Sequence, residues 1–145
     1  MKNKFNIIRI LIFFIIIYNN SSLLSAEDIL IDAEKVDIKE RGNLITASGA
    51  VSINDADFIE INGNLAEYNR IKQTVEINGD VIFFDKEKNY KVLSDKIIFN
   101  RNKNIISSYG NTIFTFLDER NDNVIFEVSG ENSFFNQNKK ILEVN

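Results

Sequence analysis

The residues able to do chemistry in this chain are few, because it contains no His and no Cys. Without them there is no neutral-pH general base, no thiol nucleophile and no soft metal ligand. Paired carboxylates remain, Asp55 with Asp57 and Asp85 with Glu87. General acid–base work needs one member of such a pair desolvated, so that its pKa rises. These pairs lie among Asn, Lys and further acids, a composition that reads as solvated surface turns. Residues 118–123 (DERNDN) offer several oxygen ligands but lack the regular spacing and central Gly of a calcium loop. No Gly-x-Ser-x-Gly elbow or phosphate-cradling loop is present. The expectation is a non-enzyme without cofactor or metal.

What positions these turns is a repeat. Aligning Glu34-Lys-Val-Asp-Ile38 with Asn64-Leu-Ala-Glu-Tyr-Asn69, Asp95-Lys-Ile-Ile-Phe-Asn100 and Glu131-Asn-Ser-Phe-Phe-Asn136 gives starts 30, 31 and 36 residues apart. From each of the first three starts a Gly follows at 15 residues: 34 to 49, 64 to 79 and 95 to 110. A period near 30 with a constant internal offset implies stacked supersecondary units.

Within each unit the apolar period is two. Ile45, Ala47, Gly49, Val51 and Ile53 share a phase, as do Val75, Ile77, Gly79, Val81 and Phe83, and then Ile106, Ser108, Gly110, Thr112, Phe114 and Phe116. Such alternation predicts half-buried antiparallel strands. Shorter leading strands bring Val36 and Ile38, Ala66 and Tyr68, Ile97 and Phe99, then Phe135, with Glu34, Asn64, Asp95 and Glu131 as polar strand entries. Turns at 39–43, 69–73, 100–104 and 136–140 reverse the chain, and their Asn residues tolerate left-handed backbone. Their Lys and Arg read as solvated hairpin tips. Joints at 54–57, 85–89 and 118–123 link the units, the longest accounting for the 36-residue interval. Glycines 49, 79 and 110, placed in the inward phase, mark either a tight corner of the sheet or room for a ligand, the corner being the simpler reading. Four strand–turn–strand units predict an all-β fold whose sheet folds over itself as a sandwich, roll or half-open barrel.

Composition bounds the setting. Residues 1–9 carry Lys2, Lys4 and Arg9 and no acid, residues 10–17 are apolar, and residues 21–26 are mostly small. This is a secretory signal peptide, residues 1–26, with cleavage expected after Ala26. The apolar stretch 7–18 is interrupted by Arg9 and shorter than the roughly 20 residues a membrane-spanning helix needs. From Glu27 onward, 14 basic residues stand against 21 acidic ones, a net charge of −7. That disfavours nucleic acid or an anionic membrane as the main partner.

The motifs then resemble a family. Ile45-Thr-Ala-Ser-Gly-Ala-Val-Ser-Ile53, Ile77-Asn-Gly-Asp-Val-Ile82 and Gly110-Asn-Thr112 stand where the OstA-like lipopolysaccharide-transport domain has its Gly-Asn-Val strand. Asn64-Leu-Ala-Glu-Tyr-Asn69 and Leu93-Ser-Asp-Lys-Ile-Ile-Phe-Asn100 resemble its second strand. The likeness spans residues 29–145, and its force lies in recurrence in register behind a signal segment.

The resemblance implies a V-shaped antiparallel β-jellyroll, residues 27–145, in the periplasm, with lipopolysaccharide acyl chains held in an apolar groove. Two kinds of member fit: the soluble periplasmic bridge protein and the amino-terminal domain of an outer-membrane assembly barrel. Residues 142–145 end inside a strand, which suggests a chain continuing into such a barrel and so attached to the outer membrane. The groove candidates are Ile45, Val51, Ile53, Val75, Ile77, Val81, Phe83, Ile106, Phe114 and Phe116. Burying a dozen methylenes at about 0.8 kcal/mol each comes to roughly 10 kcal/mol before ordering costs, so an acidic domain is expected to recognise the chains rather than lipid phosphates. Partners would be lipopolysaccharide and neighbouring jellyrolls joined by edge-strand pairing, the Ile29–Ile31 edge being free of Pro. The competing reading is a structural or adhesin-like secreted β-repeat module that binds no lipid.

Overall fold

The computed structural model describes residues 29–55 and 58–145; the expected signal segment with its cleavage site, and Asp57, lie outside them. The chain is all-β. Its strands are β1 (Ile29–Asp32), β2 (Lys35–Lys39), β3 (Leu44–Asp55), β4 (Ile59–Asn69), β5 (Thr74–Asp85), β6 (Tyr90–Asn100), β7 (Ile105–Leu117), β8 (Val124–Asn136) and β9 (Ile141–Val144). They form one antiparallel sheet in the order β1-β3-β4-β5-β6-β7-β8-β9, and β2 shares with β1 the outer side of β3. None of the described helical segments is long and apolar enough to cross a membrane.

The strands are longer than the sequence pattern implied. Asn64, Asp95 and Glu131 are not strand entries but lie in mid-strand, on β4, β6 and β8. Each is the point where the ladder slips. Pairing on β3–β4 jumps from Ser48↔Leu65 to Val51↔Gly63, on β5–β6 from Asn78↔Lys96 to Val81↔Ser94, and on β7–β8 from Tyr109↔Asn132 to Thr112↔Gly130. The two unmatched residues are Gly49-Ala50, Gly79-Asp80 and Gly110-Asn111, all with positive φ. These are β-bulges, which bend and twist the strand that carries them. Aligned on the alternate strands β3, β5 and β7, they draw a crease across the sheet.

The crease folds the sheet in two. On β6, Val92 pairs with Phe83 and Phe99 lies seven residues on. An extended strand would separate those positions by ~23 Å. Yet the Phe83 and Phe99 rings meet at 5.3 Å, edge to face. We call the layer holding residues 81–85 and 90–94 the first blade and the one holding 74–78 and 96–100 the second. Between them lies the core, with Val51, Ile53, Ile61, Val81, Phe83, Val92 and Phe114 from the first blade and Val75, Ile77, Ile97, Phe99 and Ile106 from the second, all nearly or fully buried. At Gly63 a Cβ would stand 2.7 Å from Ile77 Cγ1, so the missing side chain lets the two blades approach there.

The corner reading of the three glycines is therefore correct, but their phase is not inward. A Cβ at Gly49 would fall 2.5 Å from Glu34 Oε2 and one at Gly79 2.7 Å from Asn64 Nδ2, while at Gly110 it would collide with Asp95. Glu34, Asn64 and Asp95 are exposed, so the space the glycines leave is on the polar outer side. Val36 and Ile38 also depart from expectation. They are exposed, Ile38 by 68%, because β2 is an edge strand over which none of the described residues packs.

Candidate functional site

The groove candidates do converge. Val51, Ile53, Val75, Ile77, Val81, Phe83, Ile106 and Phe114 belong to one buried cluster, and Ile45 and Phe116 pack half-buried at its margin. Alternation along each strand places them on the inner face, and the crease turns both blades' inner faces toward each other. Around Phe83 and Phe114 the lining is aromatic. Tyr90 stacks on Phe114 at 5.2 Å, Phe114 meets Phe116 at 5.0 Å, and Phe135 stands edge-on to Tyr90 at 5.3 Å. The row reaches the sheet's far end at Phe126, 6.2 Å from Phe116.

The interior is tight at the centre and looser at that end. A cavity of about 350 Å³ is lined by Tyr90, Phe116, Phe135 and Leu142, with Lys88, Gln137 and Lys140 at its rim. At the same end β9 covers only part of β8: pairing runs from Ser133↔Val144 to Asn136↔Ile141, and residues 124–130 have no outer partner among the described residues. Val124, Ile125 and Phe126 are exposed there.

In the third repeat the inner face becomes polar at the crease. Ser94, Ser108, Thr112 and Ser133 are buried. Thr112 donates to Ser108 at 2.9 Å, and the Ser108 and Ser133 hydroxyls are hydrogen-bonded to each other at 2.6 Å. Ser94 Oγ accepts from the Tyr109 N–H at 3.1 Å and lies 3.0 Å from the Gly110 carbonyl, satisfying backbone groups freed by the bulge.

Opposite the crease, the blade edges form a mouth closed by polar clasps. Arg101, just after β6 on the second blade, grips Asp55 at the end of β3 on the first: Nε to Oδ2 at 2.5 Å and Nη2 to Oδ1 at 2.6 Å. Its Nη1 donates to Tyr68 Oη at 3.1 Å and to Gln73 Oε1 at 2.5 Å. A second clasp joins Gln137 of the second blade to the first: its Nε2 donates to Tyr90 Oη at 2.6 Å, and Lys88 Nζ donates to its Oε1 at 2.9 Å. Lys88 also pairs with Asp85 at 3.1 Å. Asp55 and Asp85 are thus not solvated turn residues but 6% and 0% exposed. Burial, together with the neighbouring Asp85 charge, raises the Tyr90 pKa well above its ordinary value. On the outer face, hydrogen bonds from Asn62 and Lys86 hold the Glu60 carboxyl below the ordinary carboxylate range.

Sequence reasoning missed Arg101, Gln137 and Tyr90. Their only signal is position, a polar residue at or beside a strand end on each side of the mouth. Residues 118–123 fold on themselves, the Asp118 N–H donating to the Asn123 carbonyl at 2.8 Å and Asp118 Oδ1 accepting from Arg120 N–H at 2.8 Å. Among the described residues, no three acidic side chains gather as a metal site would require.

No protein-family profile matches the sequence, and no curated protein matches it. Among solved structures, similarity extends to LptH from Pseudomonas aeruginosa, described as the LptA-homologous periplasmic component of the conserved lipopolysaccharide transport device. The match covers 82% of each chain with a TM-score of 0.68 at 12% sequence identity. The chain has that β-jellyroll fold. At such identity the likeness concerns the fold.

Proposed function

We propose that this chain is a periplasmic lipopolysaccharide-transport module that holds acyl chains between its two blades. The observation that supports this reading is the continuous apolar and aromatic inner face, closed around Phe83 and Phe99 but opening at the β8–β9 end into the cavity beside Phe116 and Phe135. An acyl chain needs an apolar channel with an exit, and a tightly packed core alone has no use for an aromatic row leading to an open edge. The ten groove candidates become its lining, with Ile45 and Phe116 the most accessible of them.

Both sheet edges suit chaining to similar jellyrolls. β1 and β2 on one side and residues 124–130 of β8 on the other carry unpaired backbone flanked by exposed Leu30, Ile38 and Ile125. Adding a neighbour's strand there would extend the inner face from one module to the next. Whether an outer-membrane barrel follows residue 145 is answered by reading the gene downstream.

A photocrosslinking residue placed at Ile45, Phe116 or Leu142 should form adducts with lipopolysaccharide in cells, and one at Glu76, Asn78 or Asp80 should form few. Equal labelling of both faces would sink the groove. The structural-module reading has one observation in its favour, the complete burial of Ile53, Ile77, Phe83 and Phe114, which leaves no space for a chain while the mouth is shut. It predicts no adducts at any of these positions.

A further inference from the structure

The hairpin ends of the second blade form a single hydrogen-bonded row. Arg70 N–H donates to the Asn43 carbonyl at 2.9 Å, Arg101 N–H to Gln73 at 2.9 Å, and Gln137 N–H to Asn104 at 3.0 Å. This row corresponds to the four Asn-bearing turns, whose alternate placement in an antiparallel meander puts them all at one edge. It carries eight basic residues, among them Lys72, Arg101, Lys103 and Lys140, against one acid, Glu40. The facing ends of the first blade carry six acids among the described residues, Asp55, Asp85 and Asp118 included, against three bases. In a chain of net charge −4 this is segregation by blade, with a cationic lip and an anionic lip across one mouth. Read singly, these cations were hairpin tips in solvent; aligned, they are a row.

The clasp adds the second half of the argument. Parting the blades at the mouth separates Arg101 from Asp55, and breaking a buried guanidinium–carboxylate pair is costly. A ligand that supplies its own anion at the mouth, above a chain lying inside, removes that cost. Phosphate matches the Arg fork as carboxylate does. We propose that the cationic lip is the seat of the phosphate groups of an acylated amphiphile, and that a ligand phosphate replaces Asp55 on Arg101 when the mouth opens. The inference rests on the acyl-groove reading and replaces the expectation that an acidic domain ignores lipid phosphates.

The test compares binding of native and dephosphorylated lipopolysaccharide to the exported full chain and to a Lys72→Gln/Lys103→Gln/Lys139→Gln variant, whose exposed turn positions line neither the core nor the cavity. The wild-type chain should bind the phosphorylated form about tenfold or more tightly than the dephosphorylated one, since charge-assisted contacts are the strong ones. The variant should lose that preference while binding the dephosphorylated lipid as the wild type does. A wild type that binds both forms equally, or a variant that keeps the full preference, overturns the phosphate seat and leaves the acyl groove standing. A wild type that binds neither form overturns the groove and the seat together. Complete competition by millimolar inorganic phosphate would show a free-phosphate site and overturn the headgroup assignment.

Discussion

Glu34 lies against Gly49: its backbone N–H donates to the Gly49 carbonyl at 3.0 Å, and its side chain fills the space a Gly49 Cβ would need. The Asn64 side chain fills the same space beside Gly79, and that of Asp95 beside Gly110. The 15-residue offset of the repeat is therefore a cross-strand contact. A polar residue on one strand fills the hollow of a bulge on the next, and repetition of the pair creases the whole sheet.

Replacing Gly79 with Ala should destabilise the fold by about 1–3 kcal/mol, the range for forcing a side chain into strained left-handed backbone. Gly79→Asn should cost no less: Asn tolerates that backbone but brings the same Cβ against Asn64. Urea denaturation midpoints compare the two. An Ala variant as stable as the wild type would show that the crease does not depend on these residues.

The Arg101–Asp55 clasp gives a sharper contrast. Asp55→Ala leaves a buried Arg and should cost about 3–5 kcal/mol. Changing both residues, Asp55→Leu with Arg101→Met, should restore much of that loss, since an apolar pair of similar volume is often no worse than a buried ion pair. If the double variant is as unstable as the single one, the clasp does more than close the mouth. In lipid-binding assays the double variant should also lose its preference for a phosphorylated headgroup.

The sequence shows the fold well and the mouth hardly at all. Alternation at Ile53, Val75, Ile77 and Phe83 marks the inner face because burial of one sheet face imposes period two on every strand. The turns are equally plain, since Asn69, Asn100 and Asn136 sit where side-chain oxygens cap the turn: each accepts from the N–H three residues on. The bulges were visible only as glycines, and strict alternation carried their phase to the wrong side because a bulge inserts a residue without a partner. Asp55, Tyr90, Arg101 and Gln137 were unreadable for another reason. Their contacts span 46 and 47 residues and exist only after the sheet has folded in two.

Tyr90 makes the fold sensitive to alkali. Its folded pKa is raised above its ordinary value of 10.0, first by burial and then by Asp85. The folded state thus keeps the proton when the unfolded chain releases it. The contribution is fully present below the unfolded pKa and is lost as pH rises above it. Stability should therefore fall from about pH 10 upward, and Tyr90→Phe should flatten that fall while lowering stability at neutral pH through the lost bond to Gln137. Denaturation curves at neutral and alkaline pH measure both effects; an identical alkaline slope in the two proteins would remove Tyr90 as its cause.

The open edge of β8 carries the last prediction. Ile125 is 68% exposed on a stretch whose outer backbone groups meet no strand among the described residues. An apolar, flat, unpaired edge invites another strand, and a Lys there is a common natural block to such pairing. Ile125→Lys should leave the unfolding midpoint within about 0.5 kcal/mol of the wild type, as exposed substitutions away from special features do. If the edge receives a neighbouring jellyroll, the same change should weaken association with a partner module or a second copy, read by analytical ultracentrifugation. Leu30→Lys on the β1 edge should act likewise from the other side, because a head-to-tail contact uses one edge of each module. The outcome that would refute this arrangement is unchanged association in both variants. Loss in one variant alone would assign the interface to that edge and leave the other free to meet a different partner.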